Sequence, residues 1–160
     1  MQPQPPSDTG TGPDRVREHT DPEVLRRIDQ ETARRIEECA AQGPETISRR
    51  LEELDGESDI ERYLEINASA LALGGLALGS FVNRRWLLLP GIVLPFLLQH
   101  GVQGWCPPVP LFRRLGVRTR REIDVERYAL KALRGDFDGL RHAAGAGARP
   151  RAAKALAAVG

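Results

Sequence analysis

The stretch that decides the fold is INASALALGGLALGSFV over Ile66–Val82, NRR over Asn83–Arg85, and WLLLPGIVLPFLLQHGVQGW over Trp86–Trp105. Two uncharged runs of 17 and 20 residues are separated by three polar positions. Wound as helix at ~1.5 Å per residue they measure roughly 25 and 30 Å, the first at the short end of what a bilayer core demands. Neither carries a polar stripe. A surface helix of a soluble protein reserves one face for water, so apolarity all round over this length points to lipid. Three residues between the runs allow only a tight turn, and the spans are therefore antiparallel.

The rest of the composition sharpens this reading by contrast. The chain of 160 residues has a net charge of +1 and a negative mean hydropathy, which by themselves suggest a soluble protein. Of its 45 Lys, Arg, Asp and Glu residues, however, only Arg84 and Arg85 fall within 66–112. The competing arrangement is a soluble bundle with two fully buried helices. A chain of this length has too few other residues to cover them. Charge is also polarised: 17 acids against 9 bases precede Ile66, and 5 acids against 12 bases follow Phe112. The basic half lacks the interleaved aromatics of a stacking platform, so no nucleic-acid partner is expected.

Working outward, residues 1–19 read as a disordered tail rich in Pro, Gly, Ser and Thr, with no signal peptide visible. A helical region occupies 20–57. Thr20-Asp21-Pro22-Glu23 signals its start, Leu25, Ile28, Thr32, Ile36 and Cys39 give it an apolar stripe, and Gly43-Pro44 divides it. Beyond the break, Ile47, Leu51 and Leu54 share a face. The hairpin domain covers 58–118 and opens with the capping box Ser58-Asp59-Ile60-Glu61. A helix over 119–137 follows from Thr119-Arg120-Arg121-Glu122, and 138–160 is an Ala/Gly/Arg-rich flexible tail with a marginal helix over 152–159. The fold class is all-α: an integral membrane two-helix hairpin with flanking amphipathic cytoplasmic helices.

Orientation follows from the basic residues alone. Arg49, Arg50, Arg62, Arg113, Arg114, Arg118, Arg120 and Arg121 flank the termini side of the spans, against Arg84 and Arg85 at the turn. The positive-inside rule places both termini in the cytoplasm. Acidic N-terminal helices and a basic C-terminal helix then share that face, and their opposite charges lead us to expect packing between them.

Few residues suggest chemistry. Ala70 with Gly74 and Gly75 with Gly79 form small-xxx-small pairs, which serve either homodimerisation or packing against the second span of the same chain. Pro90 and Pro95 are expected to kink the second span. Gln99, His100 and Gln103 form a polar patch near its end, read either as a polar pathway or as interhelical hydrogen bonding. Trp86, Trp105, Arg113 and Arg114 are expected as interface anchors. Cys106 lies beside Arg113 and Arg114; an accessible thiol there would accept sulfur, and the alternative is inert packing. Cys39 reads as packing. No P-loop, GxSxG, HExxH or paired-carboxylate motif is present, no cofactor or metal site is indicated, and no enzymatic activity is expected.

Gly101-Val102-Gln103-Gly104-Trp105-Cys106-Pro107, followed by Leu111-Phe112-Arg113-Arg114-Leu115-Gly116-Val117, resembles the YgaP-like transmembrane-domain family: two short spans closed by a Gly-aromatic-Cys-Pro motif and a basic Leu-Gly segment. The resemblance covers about 60–118 and implies a dimeric bacterial inner-membrane protein of a family without a settled function. Relatives that carry a rhodanese domain suggest sulfur transfer or export of a small anion such as thiocyanate. This chain has no rhodanese domain, and only Cys106 carries over, as a sulfur acceptor. The expected function is a non-enzymatic membrane hairpin that forms homodimers and presents cytoplasmic helices to a protein partner. The alternative is a sulfur-linked role, by persulfide relay at Cys106 or by small-anion export.

Overall fold

The computed structural model describes residues 14–142, 145 and 147–159. Residues 1–13 of the expected tail, and four positions near the C-terminus, lie outside them. Every regular element among the described residues is helical, and two helical segments are long and apolar enough to cross a membrane. The chain divides into two compact units. One comprises the described residues up to Leu25 together with Ile60–Thr119, and the other comprises Arg26–Asp59 with the described residues from Arg120 onward.

The first unit is the hairpin and its base. It contains α1 (Arg15–Glu18), the first residues of α2 (Pro22–Gln42), α4 (Ile60–Phe81), a 3-10 turn (Arg84–Leu87), α5 (Leu88–Gln103) and α6 (Val109–Arg114). Along α4 two polar side chains turn back on their own helix. Asn67 Nδ2 donates to the Tyr63 carbonyl at 2.7 Å and Ser80 Oγ to the Leu76 carbonyl at 2.8 Å. Each thus meets its needs without water. At the turn, Asn83 Oδ1 accepts from the Arg85 amide at 3.0 Å and caps the 3-10 segment. The second span accordingly begins as 3-10 helix, and α-helix proper starts only at Leu88. Pro90 then falls in the first turn of α5, where an amide would have no helical partner in any case. Of the two prolines expected to kink the span, Pro95 alone lies in its interior.

The two apolar helices meet over glycine. A Cβ on Gly75 would lie 2.5 Å from Pro90 Cδ and 3.1 Å from the Trp86 carbonyl, and one on Gly79 would lie 2.5 Å from Leu87 Cδ2. Both glycines are buried. Gly74, by contrast, is exposed and a Cβ there would meet nothing within 4 Å; Ala70 is exposed as well. The small residues therefore divide by role: Gly75 and Gly79 join the spans of one chain, and Ala70 and Gly74 face outward.

In the second unit, the greater part of α2 packs with α3 (Pro44–Gly56) and α7 (Arg120–Arg134). Gly43, at φ +99°, supplies the left-handed break between α2 and α3. Cys39, Ile47, Leu51, Leu54, Ile123 and Leu130 form the core, with Ile36 against it. The C-terminal end of the α2 stripe, Ile36 and Cys39, and the α3 face Ile47, Leu51 and Leu54 thus meet Ile123 and Leu130 of α7. Arg127 Nη1 reaches Asp55 at 2.9 Å and its Nη2 donates to the Leu54 carbonyl at 3.1 Å. The expected packing of N-terminal on C-terminal helices thus occurs within one chain. Gly135, at φ +88°, ends α7. Two further helices follow, α8 (Asp138–His142) and α9 (Ala148–Val159). Lys131 Nζ donates to the Val159 carbonyl at 2.8 Å, so the last turn of α9, within the marginal helix expected over 152–159, is held by a cation at its negative end.

Candidate functional site at the hairpin base

Of the residues singled out in the sequence, Gln99, His100, Gln103, Trp105, Cys106, Arg113 and Arg114 lie at the open end of the hairpin. Gly104, at φ +72°, takes the left-handed conformation that closes α5, and its amide donates to the His100 carbonyl at 2.7 Å. The chain then passes through Trp105, Cys106 and two prolines into α6. Val109 at the start of that helix is fully enclosed, with Ile60, Leu64, Val16 and Cys106 around it and Phe112 and Val117 packed against the cluster. Tyr63 and Phe112 stack with ring centroids 6.0 Å apart.

Two of the expected anchors part company here. Arg114 is exposed, but Arg113 is only 1 % exposed. Its Nε donates to Thr20 Oγ1 at 3.1 Å and its Nη1 to the Val117 carbonyl at 2.9 Å. Arg113 is therefore a pin inside the base rather than a group reaching for headgroups. α6 owes this to its sequence: Val109 and Arg113, four apart, share the inward face, while Pro110 and Arg114 point out. Trp86 stands 45 % exposed at the turn, and Trp105 is half-buried at the base.

The residues that seal this base come largely from the segment expected to be disordered. Asp14 caps α1 by accepting from the Arg17 amide at 3.1 Å, and its other carboxylate oxygen accepts from Thr119 Oγ1 at 2.8 Å. Arg15 Nη1 donates to the Val102 carbonyl at 2.5 Å, near the end of α5. Its backbone lies so close to Gly104 that no Cβ would fit there. Val16 fills the cluster. Thr20, first of the four residues that signal the start of α2, donates to the Val16 carbonyl at 2.6 Å while receiving Arg113. Asp21 caps α2, accepting from the Glu23 amide at 2.8 Å. The only hint in the sequence was Val16 itself, a lone apolar residue between two arginines.

The polar patch is only loosely knit. Gln99 Nε2 lies 3.3 Å from Gln103 Oε1 one turn on, on an exposed face. His100 is half-buried, and its Nδ1 has no hydrogen-bond partner among the described residues. Cys106 is buried, and loss of solvation raises its thiol above the ordinary cysteine value. Of the two readings of Cys106 drawn from the sequence, an accessible sulfur acceptor or inert packing, this burial favours the second. Cys39 is likewise buried and raised by desolvation, in the other unit. Among the described residues no three His, Cys, Asp or Glu side chains are grouped as a metal ion would need.

No family model, curated protein or solved structure matches this chain.

Proposed function

We propose that this protein is an integral membrane hairpin that crosses the bilayer twice, with both termini cytoplasmic, and displays the α2–α3–α7 helical module to a protein partner. One observation carries the reading. α5 is apolar from Leu88 to Leu98, yet none of its residues is buried, and α4 buries only Gly75 and Gly79 beyond Leu64. Leu73, Leu76, Phe81, Leu88, Ile92 and Leu98 each expose more than half of their surface. Such a face is untenable in water and ordinary in lipid. The resemblance around Gly101–Val117 favours a bacterial inner membrane, and the outward Ala70–Gly74 pair provides the contact for a homodimer.

Alkaline carbonate extraction tests the first part, since an integral protein stays in the pellet. Single cysteines at Asn83 and Glu45, in a Cys39→Ala/Cys106→Ala background, test the topology. A membrane-impermeant maleimide applied to whole spheroplasts should label position 83 and spare position 45. Labelling at both or neither in intact spheroplasts, or release by carbonate, would sink the reading. Enclosure of Cys106 favours this scaffold over a persulfide relay, which needs a thiol that a donor can reach.

A further inference from the structure

From the tip of the hairpin we infer a binding surface for the phosphates of anionic phospholipids in the leaflet opposite the termini; the inference rests on the membrane reading above. Arg84 and Arg85 are both exposed, and neither side chain makes a hydrogen bond or ion pair among the described residues. Their backbone is fixed. Asn83 Oδ1 holds the Arg85 amide at 3.0 Å, and the Trp86 amide donates to the Asn83 carbonyl at 3.0 Å. The two guanidiniums are thus presented from a rigid turn. No carboxylate stands near in sequence. The closest acid before them, Glu65, lies 16 helical residues below Phe81, roughly 24 Å away along α4 and beyond effective screening distance. The next acid after them is Glu122.

Around these cations sits an apolar collar: Phe81 at 89 %, Val82 at 70 %, Trp86 at 45 % and Leu87 at 41 % exposure. The collar excludes a position in bulk water, and two uncompensated guanidiniums exclude the hydrocarbon. Only the headgroup layer satisfies both, with indole at its usual depth. There the counterion at hand is phosphate, whose oxygens match the planar fork of arginine. The short first span strengthens the case. Its 17 residues give roughly 25 Å against a ~30 Å core, so the far-leaflet phosphates must approach the turn for the tip to reach them. A net anionic lipid is preferred over a zwitterionic one because no choline cation competes for the same phosphate.

Quenching of Trp86 by brominated lipid provides the test. In full-length Trp105→Phe, Trp86 is the only tryptophan, and vesicles of mixed phosphatidylglycerol and phosphatidylcholine carry bromine on one species or the other. The ratio of the two quenching efficiencies gives the local preference at the tip. We expect phosphatidylglycerol to be favoured by about fivefold per arginine at low salt, with the preference falling as salt rises. Arg84→Gln/Arg85→Gln should bring the ratio close to one. Both positions are exposed, so the variant keeps the hairpin, and its retention after carbonate extraction verifies that. An even ratio in the parent, or a preference that survives the double substitution, overturns the proposal while the membrane reading stands. Failure of the parent to remain in carbonate-washed vesicles overturns both.

Discussion

Arg50 on α3 and Glu126 on α7 form a two-point ion pair, with Nε 2.8 Å from Oε1 and Nη2 3.4 Å from Oε2, around a carboxylate that has no solvent exposure. Arg35 on α2 brings a second guanidinium to 3.7 Å of the same group. One anion thus ties together three helices. Burial opposes the charge on Arg50, but its hydrogen bonds to Glu126 and Glu53 outweigh this and hold its pKa above the ordinary arginine value. Glu126→Gln keeps the shape and removes the charge, leaving two cations without their common counterion. We expect it to cost about 3–5 kcal/mol, as breaking one side of a buried pair does. Replacing both partners, by Arg50→Met with Glu126→Leu, should cost clearly less. Thermal melts of the full chain in detergent, followed by helical circular dichroism, check both. A Glu126→Gln melt equal to the parent's would remove this pair from the account of the module.

The glycines of α4 separate two effects that look alike in sequence. Gly75→Ala and Gly79→Ala each place a methyl about where Pro90 Cδ or Leu87 Cδ2 already sits, and the spans must part to admit it. We expect about 1–3 kcal/mol of destabilisation for each. Gly74→Ala meets nothing, and in a helix the alanine is the better former by up to about 1 kcal/mol. It should therefore leave the hairpin intact or slightly stabilised. Resistance to unfolding in graded detergent mixtures gives the order. Gly74→Ala as damaging as Gly75→Ala would mean that the spans meet on another face.

Arg113 offers a third test, because its burial was not what its charge implied. Arg113→Met retains the stem and removes the donors to Thr20 Oγ1 and the Val117 carbonyl. Leaving such acceptors unmet inside the base costs about 1–3 kcal/mol. Thr20→Val removes one acceptor from a guanidinium that keeps its bond to Val117, and should cost less. Protease sensitivity at Arg15 and Arg17 reports the loss directly, since α1 is released when the pin goes.

The two apolar helices, their turn and the stripes Leu25, Ile28, Thr32, Ile36, Cys39 and Ile47, Leu51, Leu54 were legible in the sequence because uniform apolarity and a 3.6-residue period are local properties of the chain; of these stripe residues Leu25 and Ile36 are half-buried and the others buried. Charge complementarity was legible only in outline. Attraction between acidic and basic halves was anticipated, and Asp55 with Arg127 fits it. The ion pairs around the buried Glu126 carboxylate have the opposite sense, with the half-buried cations Arg35 and Arg50 from the acidic half and the anion Glu126 from the basic one. Net charge averages over surfaces, whereas a buried pair is chosen one contact at a time. The base of the hairpin was least legible. Val16 and Arg113 pack only because of partners far away in the chain, Arg113 meeting Thr20 across 93 positions, and no local pattern announces that. Nor could sequence tell Gly74 from Gly75, which differ by one step of rotation about the helix.

Cys106 owes its protection to that same distant segment. Val16 lies in the cluster that encloses it, and Arg15 closes over Gly104 two residues before it. Two barriers to alkylation follow: steric cover, and a thiol raised above its ordinary value by desolvation, which lowers the thiolate fraction at neutral pH. In a Cys39→Ala background, N-ethylmaleimide should label Cys106 slowly at neutral pH, and the rate should keep rising with pH past the range where a free cysteine has levelled off. Val16→Asp sets a carboxylate into the apolar cluster and should drive α1 out. Solvent then reaches the sulfur, the thiol returns toward its ordinary value, and labelling at neutral pH should quicken severalfold. Arg114→Gln changes an exposed charge near the same loop without touching the cluster, and should leave the rate unchanged. If Val16→Asp labels no faster than the parent while remaining helical, some other element covers the thiol; if Arg114→Gln slows it, the surface charge and not the packing governs its reactivity.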